Sequence, residues 1–414
     1  MPKSNDLADQ PLPSKRASLW RNRDYLLLWS GQAISDIGGS VSSLAFPLLV
    51  LAVTHSPTQA GIVAGLRAIP VLLFMLTAGA LIDRWDRRLV MIACDIGRAL
   101  SLASIPIAAM LGHLTVFQLY ITAFVEGSLL IFFDLAHSAS LGQVVPKDLL
   151  SSAIQRDELV EGSTTLFGPP LSGALFSLSQ LLPFVADALS YAVSIVTLLL
   201  IRTPFQKKSS STRRHLFVEI SEGMRWMWNQ PVLRSMSLVS LIAALFMPGS
   251  SLTVIVLAQQ QHASAFTIGL IFALGGVGSI LGTLITPFTQ RLLTVGQSVI
   301  GVRWCFALLW PFYALAPFPP ILAALEFAVG FVDPIEDVPY FSYRLAIIPD
   351  ELRGRVISAC RVLPNVVRPL GLVLTGFLLQ HLGAVQTVLI TWGTLVLVAL
   401  IFTLDPHMRR ARQQ

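Results

Sequence analysis

Gly79-Ala80-Leu81-Ile82-Asp83-Arg84-Trp85-Asp86-Arg87-Arg88 places five charges in one tight turn. An uncharged apolar run over 68–82 enters the turn, and a second run over 89–93 leaves it. A short charged turn between two apolar helices reads as a membrane-surface loop, and its arginines hold it on one side. The rest of the chain agrees. It is 54% hydrophobic and 13% charged, against about 25% charged in soluble domains. A spanning helix needs about 20 apolar residues, so 414 residues leave room for about twelve with short loops.

The pattern predicts helices over 25–53, 58–82, 89–111, 116–135, 150–178 and 182–201, then over 232–257, 266–288, 296–315, 321–343, 356–379 and 385–404. The expected organisation is a cytoplasmic arm over 1–23, a six-helix half over 24–202 and a linker over 203–230. A second six-helix half over 231–405 and a basic tail over 406–414 follow. The linker opens with the polar basic stretch 207–214 and continues as an amphipathic piece over 217–228, suited to an interface. The arm is polar and basic and runs directly into the first apolar segment, so no cleavable leader is expected. Arginines and lysines gather in the arm, the 79–88 loop, the linker, at Arg291, Arg353 and Arg355, and in the tail. The alternate loops near His55, His113, Ser179, His262, Pro317 and His381 carry neither. That asymmetry predicts both termini in the cytoplasm of a cell inner (plasma) membrane.

The two sets repeat. Ser56 to Gly61 resembles Ser264 to Gly269, Val145 to Leu149 resembles Ile348 to Leu352, and Gly168-Pro169-Pro170 has a counterpart in Arg368-Pro369-Leu370-Gly371. Each offset is about 200 residues. Two related six-helix halves with a site between them near the midplane are a transporter architecture.

Residues 79–88 resemble motif A of the major facilitator superfamily, Gly-x-Leu-x-Asp-Arg-x-Gly-Arg-Arg/Lys. Gly79, Leu81, Asp83, Arg84, Arg87 and Arg88 match. Asp86 replaces the second glycine, as in the macrolide-efflux and enterobactin-exporter branch, and residues 348–355 resemble the same branch. The resemblance covers essentially the whole chain. It implies an all-α membrane fold of twelve helices in two pseudo-symmetric halves. It also implies gating roles in which Asp83 faces the N-terminus of the eleventh helix near Arg355, and Arg87 meets Asp134. In the fifth segment Gly162, Gly168, Pro169 and Gly173 resemble the antiporter motif, with Ser172 where a glycine is usual. The resemblance there implies export by antiport; close packing of small residues is the alternative reading.

Ionisable groups at membrane depth are costly and mark function by default. Depth counted at about 1.5 Å per residue puts Asp36 and Arg67 level on neighbouring helices. They form either an ion pair, in which Asp36 stays charged, or leave a free cavity acid. Glu126 falls near the midplane with no base three or four residues away, which makes it the first candidate for proton coupling. Asp36, Asp333 and Glu336 are the further candidates. The tenth segment holds Glu326, Asp333, Glu336 and Asp337, the last three on one face. Arg303 is level with Asp333 and Arg368 with Glu326, so ion pairs could absorb two of these acids. Arg156, Asp157, Glu158 and Glu161 read as mutually paired, as do Asp95 and Arg98, and Asp187 has no evident partner. The expected substrate cavity is largely apolar, with Asp36, Glu126, Met247, Ser250, Glu326, Asp333 and Asp337 as polar candidates. Phe74, Phe132, Phe133, Phe246 and Trp310 are aromatic candidates.

These features predict a monomeric, proton-coupled exporter of amphipathic, weakly cationic molecules such as macrolide-type drugs, working within the lipid bilayer. An exporter of an endogenous siderophore and an uptake carrier of the same fold are the alternatives. No histidine-based metal set, phosphate loop or nucleophile motif points to an enzyme, a cofactor or nucleic acid. Cys94, Cys305 and Cys360 lie in apolar segments, with neither disulfide nor metal spacing.

Overall fold

The computed structural model describes residues 19–203, 205, 216–349 and 352–409. Those residues form helices and turns and contain no strand. One half is built from α1 (Arg23–Thr54), α2 (Pro57–Ile82), α3 (Arg87–Met110), α4 (Val116–Val144), α5 (Leu150–Leu178) and α6 (Leu182–Leu200). A connecting helix, α7 (Leu216–Asn229), follows. The other half comprises α8 (Pro231–Phe246), α9 (Ser250–Gln260), α10 (Ala265–Leu292), α11 (Val295–Leu309), α12 (Pro311–Leu315), α13 (Pro319–Ile347), α14 (Arg353–His381) and α15 (Ala384–Leu404), and α16 (Pro406–Arg409) closes the described chain. Ten segments are long and apolar enough to cross a membrane, with α8–α9 and α11–α12 each counting as one. The other two expected segments, α5 and α13, are 29 residues each and carry more charge. Most of the basic arm, residues 207–214 of the linker, the acids Asp350 and Glu351, and Arg410 and Arg412 lie outside the described residues.

Three boundaries differ from the sequence pattern. The seventh segment breaks at Met247-Pro248-Gly249, because Pro248 lacks an amide donor and Gly249 sits against the Thr375 side chain. The ninth breaks between α11 and α12 at Pro311. The fourth runs on to Val144, nine residues past the expected end, and stops when Val145 turns extended before Pro146. Polar side chains cap the starts: Asn22, Ser56, Asp86, Thr115, Ser264 and Thr294 each accept from a first-turn amide.

At the end opposite the 79–88 loop the two halves close on each other. A Cβ on Gly61 would come within 2.6 Å of the Leu372 carbonyl oxygen, and one on Gly376 within 2.5 Å of the Pro57 oxygen. A Cβ on Gly269 would lie 2.3 Å from the Pro169 oxygen, and one on Gly173 2.3 Å from the Ala265 oxygen. Two hydrogen bonds cross the same seam: Thr58 Oγ1 donates to the Gly376 oxygen at 3.3 Å, and the Phe266 amide donates to Ser177 Oγ at 3.1 Å. At the loop end a Cβ on Gly79, Gly142, Gly162 or Gly354 would meet nothing within 4 Å. Among the described residues these contacts join the halves at the end opposite the charged loop, and the loop end is read as the open one. α7 packs at this open end on α14, where Gly223 lies against the Arg355 backbone and the buried Met227 Sδ is 3.4 Å from Cys360 Sγ.

Gly376→Leu forces bulk into the α2–α14 seam, where overpacking costs about 1–3 kcal/mol. A Thr58→Cys reporter should then label faster with an impermeant maleimide. Unchanged labelling would mean that the glycine contact does not hold that end shut.

Candidate functional site

A cavity of about 780 Å³ lies between the halves. α1 and α5 contribute Ser40, Ser43, Leu44, Pro47, Thr165 and Pro169, with no charged side chain. The opposite wall holds Met247, Ser251, Phe272, Phe306, Asn365 and four charged residues: Arg303, Glu326, Asp333 and Arg368. Of the candidate cavity residues, Met247, Glu326 and Asp333 line this cavity. Ser251, which the seventh segment offers alongside Ser250, lines the wall, whereas Ser250, Asp337, Asp36 and Glu126 do not. Asp36 sits one turn before Ser40 on the face that carries Ser40, Ser43, Leu44 and Pro47, so it lies on that stripe toward the open end.

Glu126 is not the unpaired acid expected. Its side chain is fully buried, 2.6 Å from Arg67 Nε and 3.0 Å from Arg98 Nη2, and Tyr191 OH donates to it at 3.3 Å. Asp95 lies 4.0 Å from Arg98, and Asp187 lies 3.4 Å from the same Tyr191 hydroxyl, whose one proton serves one of the two carboxylates, and 3.2 Å from Ser190 Oγ. Arg98 also stacks over the Tyr191 ring at 4.2 Å. Helices α2, α3, α4 and α6 are thereby tied around one carboxylate. Each partner comes from a different helix, so spacing along α4 gave no sign of them. Arg67 is committed to Glu126 and does not pair with Asp36. The Asp36 carboxylate instead accepts from Gln32 Nε2 at 2.7 Å and lies within electrostatic range of Asp134 on α4.

In the other half Arg303 pairs with the buried Glu336 and not with its level neighbour Asp333. Glu326 does not reach Arg368; it accepts from Tyr313 OH at 2.8 Å. Among the described residues Asp333, Asp337 and Arg368 have no ion pair or hydrogen bond through their side chains. The aromatics divide. Phe272 and Phe306 line the cavity, a placement the pattern did not single out. Phe74 and Phe132 pack together at 5.7 Å, Phe133 stacks with His137, Trp310 packs on Tyr313, and Phe246 borders a small void behind Met247. Arg156 lies over the Trp20 ring at 4.4 Å instead of pairing with Asp157 or Glu158.

In the charged loop Asp86 has a role of its own. It caps α3, accepting from the Arg88 and Leu89 amides at 2.9 and 3.2 Å. Arg87 donates to the Ala139 oxygen at 2.8 Å and lies 3.4 Å from Asp83, so it does not meet Asp134. Arg88 caps the end of α6 at the Leu199 oxygen. Arg355, the expected neighbour of Asp83, pairs with Glu222 of α7 at 2.7 Å, and Asp83 is 59% exposed. In α5, Gly168 gives room to Ser40, Pro169 and Gly173 form the seam with α10, and Gly162 faces open space. Ser172 donates to the Val41 oxygen at 2.7 Å, tying α5 to α1.

Removing one partner of a buried ion cluster leaves uncompensated charge, a loss of roughly 3–5 kcal/mol. Glu126→Gln should lower the thermal midpoint of the purified protein sharply, while Asp36→Asn leaves it near wild type. Equal midpoints for the two variants would remove the structural role given to Glu126.

The sequence matches the family described as transmembrane secretion effector over residues 16–404. It is 27% identical over 399 residues to the multidrug efflux pump Tap of Mycolicibacterium fortuitum, covering 93% of this chain and 96% of that one. It is 22% identical over 400 residues to macrolide efflux protein A of Streptococcus pyogenes, covering 94% and 98%. Among solved structures, a bacterial homologue of the human lysosomal transporter Spinster, in an inward-facing and unoccupied conformation, shares the fold with a TM-score of 0.75 at 14% identity, covering 95% of this chain and 99% of that one. With that match over nearly its whole length, two packed helical halves and a cavity between them, the chain belongs to the transmembrane secretion effector family of major facilitator transporters, and it is a multi-pass membrane transporter of small molecules, not an enzyme.

Proposed function

We propose that this transporter exports amphipathic small molecules, macrolide-like or other lipophilic drugs, by proton antiport through alternating access. The observation that carries the reading is the cavity between the halves, sealed by glycine contacts at one end and open at the other. The basic loops support reading the open end as the cytoplasmic side of an inner membrane, with both termini on that side; in this scheme the chain acts as a monomer in the bilayer. The conformation is then inward-facing, and export loads substrate in this state. Asp83 is largely exposed and Arg355 pairs with Glu222 here, which supports a latch that forms in the opposite state, when the cytoplasmic end closes. The boundaries at 24–202 and 231–405 make the halves the two rocking bodies.

For proton coupling the geometry favours Asp36 over Glu126. Two arginines hold Glu126 as a structural anion, whereas Asp36, among the described residues, has no base in contact and lies toward the open end within electrostatic range of Asp134. Asp333 is the matching acid of the other half. Export of an endogenous product such as a siderophore is the second reading, favoured by the Arg368 guanidinium in the cavity wall.

Inverted membrane vesicles with an imposed pH gradient test the scheme. Adding a macrolide or a lipophilic cation should release protons in wild type, and Asp36→Asn should abolish the release while substrate binding survives. Proton release at the wild-type rate in Asp36→Asn would take Asp36 out of the coupling step. No release from wild type with either compound would count against drug antiport.

A further inference from the structure

The charges of the cavity wall are one-sided and only half satisfied. Arg303, Glu326, Asp333 and Arg368 all come from α11, α13 and α14, facing an uncharged wall of hydroxyls, prolines and leucine. Two are committed elsewhere: Arg303 to Glu336, and Glu326 to Tyr313. Asp333 and Arg368 are exposed to the cavity and, among the described residues, pair neither with each other nor with any other side chain. Arg303 acts on Asp333 electrostatically but makes its ion pair with Glu336, so among the described residues neither Asp333 nor Arg368 is in direct contact with a countercharge. A ligand that brings the complementary pair satisfies both at once. Arginine also offers a planar fork that matches a carboxylate on two hydrogen bonds. Asn365, three residues before Arg368 and in the same wall, adds a neutral hydrogen-bonding group beside it.

We propose that the cavity selects dipolar amphipaths, molecules that carry an ammonium group and an anionic oxygen on one apolar body. Asp333 takes the ammonium, Arg368 takes the anionic oxygen, and the body lies against the uncharged wall of α1 and α5. This inference rests on the export reading above and narrows its substrate from lipophilic drugs in general to those that bear both charges. It gives Arg368 a task that a purely cationic substrate would leave unfilled.

The test is binding to the purified full-length protein in lipid nanodiscs, read by dansyl fluorescence. The probes are Nε-dansyl-lysine, which carries both charges, its methyl ester, which keeps only the cation, and its Nα-acetyl derivative, which keeps only the anion. Wild type should bind the dipolar probe about tenfold more tightly than either single-charge form, a factor that one satisfied charge readily supplies. Arg368→Gln should erase the preference over the methyl ester alone, and Asp333→Asn the preference over the acetyl form alone. Arg368→Lys should restore part of the lost preference. Dansyl amide, which has neither charge, should bind all variants alike and shows that they are folded. Equal affinity of wild type for the three lysine probes, no binding of any of them, or full preference retained in Arg368→Gln would overturn the proposal. Proton release in vesicles is read separately. Correct ranking of the probes without proton release refutes the antiport reading and leaves the dipolar site standing, and proton release with no ranking does the reverse.

Discussion

Backbone-to-backbone contact across the two halves is the constraint on which the rest of this structure depends. Helices approach so closely only where one of them lacks a side chain. The repeat in the sequence places that residue twice. Ser56 caps α2 and Gly61 follows five residues on against α14; Ser264 caps α10 and Gly269 follows five residues on against α5. The facing helices are related in the same way, since Pro169 offers its carbonyl to Gly269 and Pro369 offers its carbonyl to Gly65. One device, used in both halves, seals one end of the bundle. Because that seam consists of backbone contact and two hydrogen bonds, and no ion pair among the described residues, it can separate without leaving a buried charge behind.

Charge is handled differently in the two halves. In the first, Glu126 gathers Arg67, Arg98 and Tyr191 into a cluster closed off from the cavity. An ion cluster of this kind stabilises little relative to apolar packing, but losing one member is expensive. It therefore braces α2, α3, α4 and α6 against one another. In the second half the cluster around Arg303 and Glu336 is incomplete, and Asp333 and Arg368 face the cavity instead. The first half supplies an uncharged wall of the cavity, and the second supplies its charged side chains.

The charged loop at residues 79–88 joins these levels. Its residues are engaged locally in the open state: Asp86 caps α3, Arg88 caps α6, and Arg87 reaches the Ala139 carbonyl of α4. Asp83 is largely exposed, and Arg355 is occupied by Glu222 of α7. The helix between the halves thus holds the end of α14 by charge and by the Gly223 contact while the loop end stands open.

The membrane class, the helical segments, the internal repeat and the family were legible in the sequence alone. Each is written in local terms: apolar run length, charge between runs, cap residues and prolines. Even the α8–α9 break has its cause in the chain, at Pro248-Gly249. The partners of the buried charges were not legible. Arg67 could have met Asp36 or Glu126, and Arg303 could have met Asp333 or Glu336, since depth along a helix does not specify rotation about its axis. Only the packed bundle settles which side chains face one another. It therefore turned Glu126 from a free acid into a clamped one, and among the described residues left Asp36, Asp333 and Arg368 without a countercharge in contact.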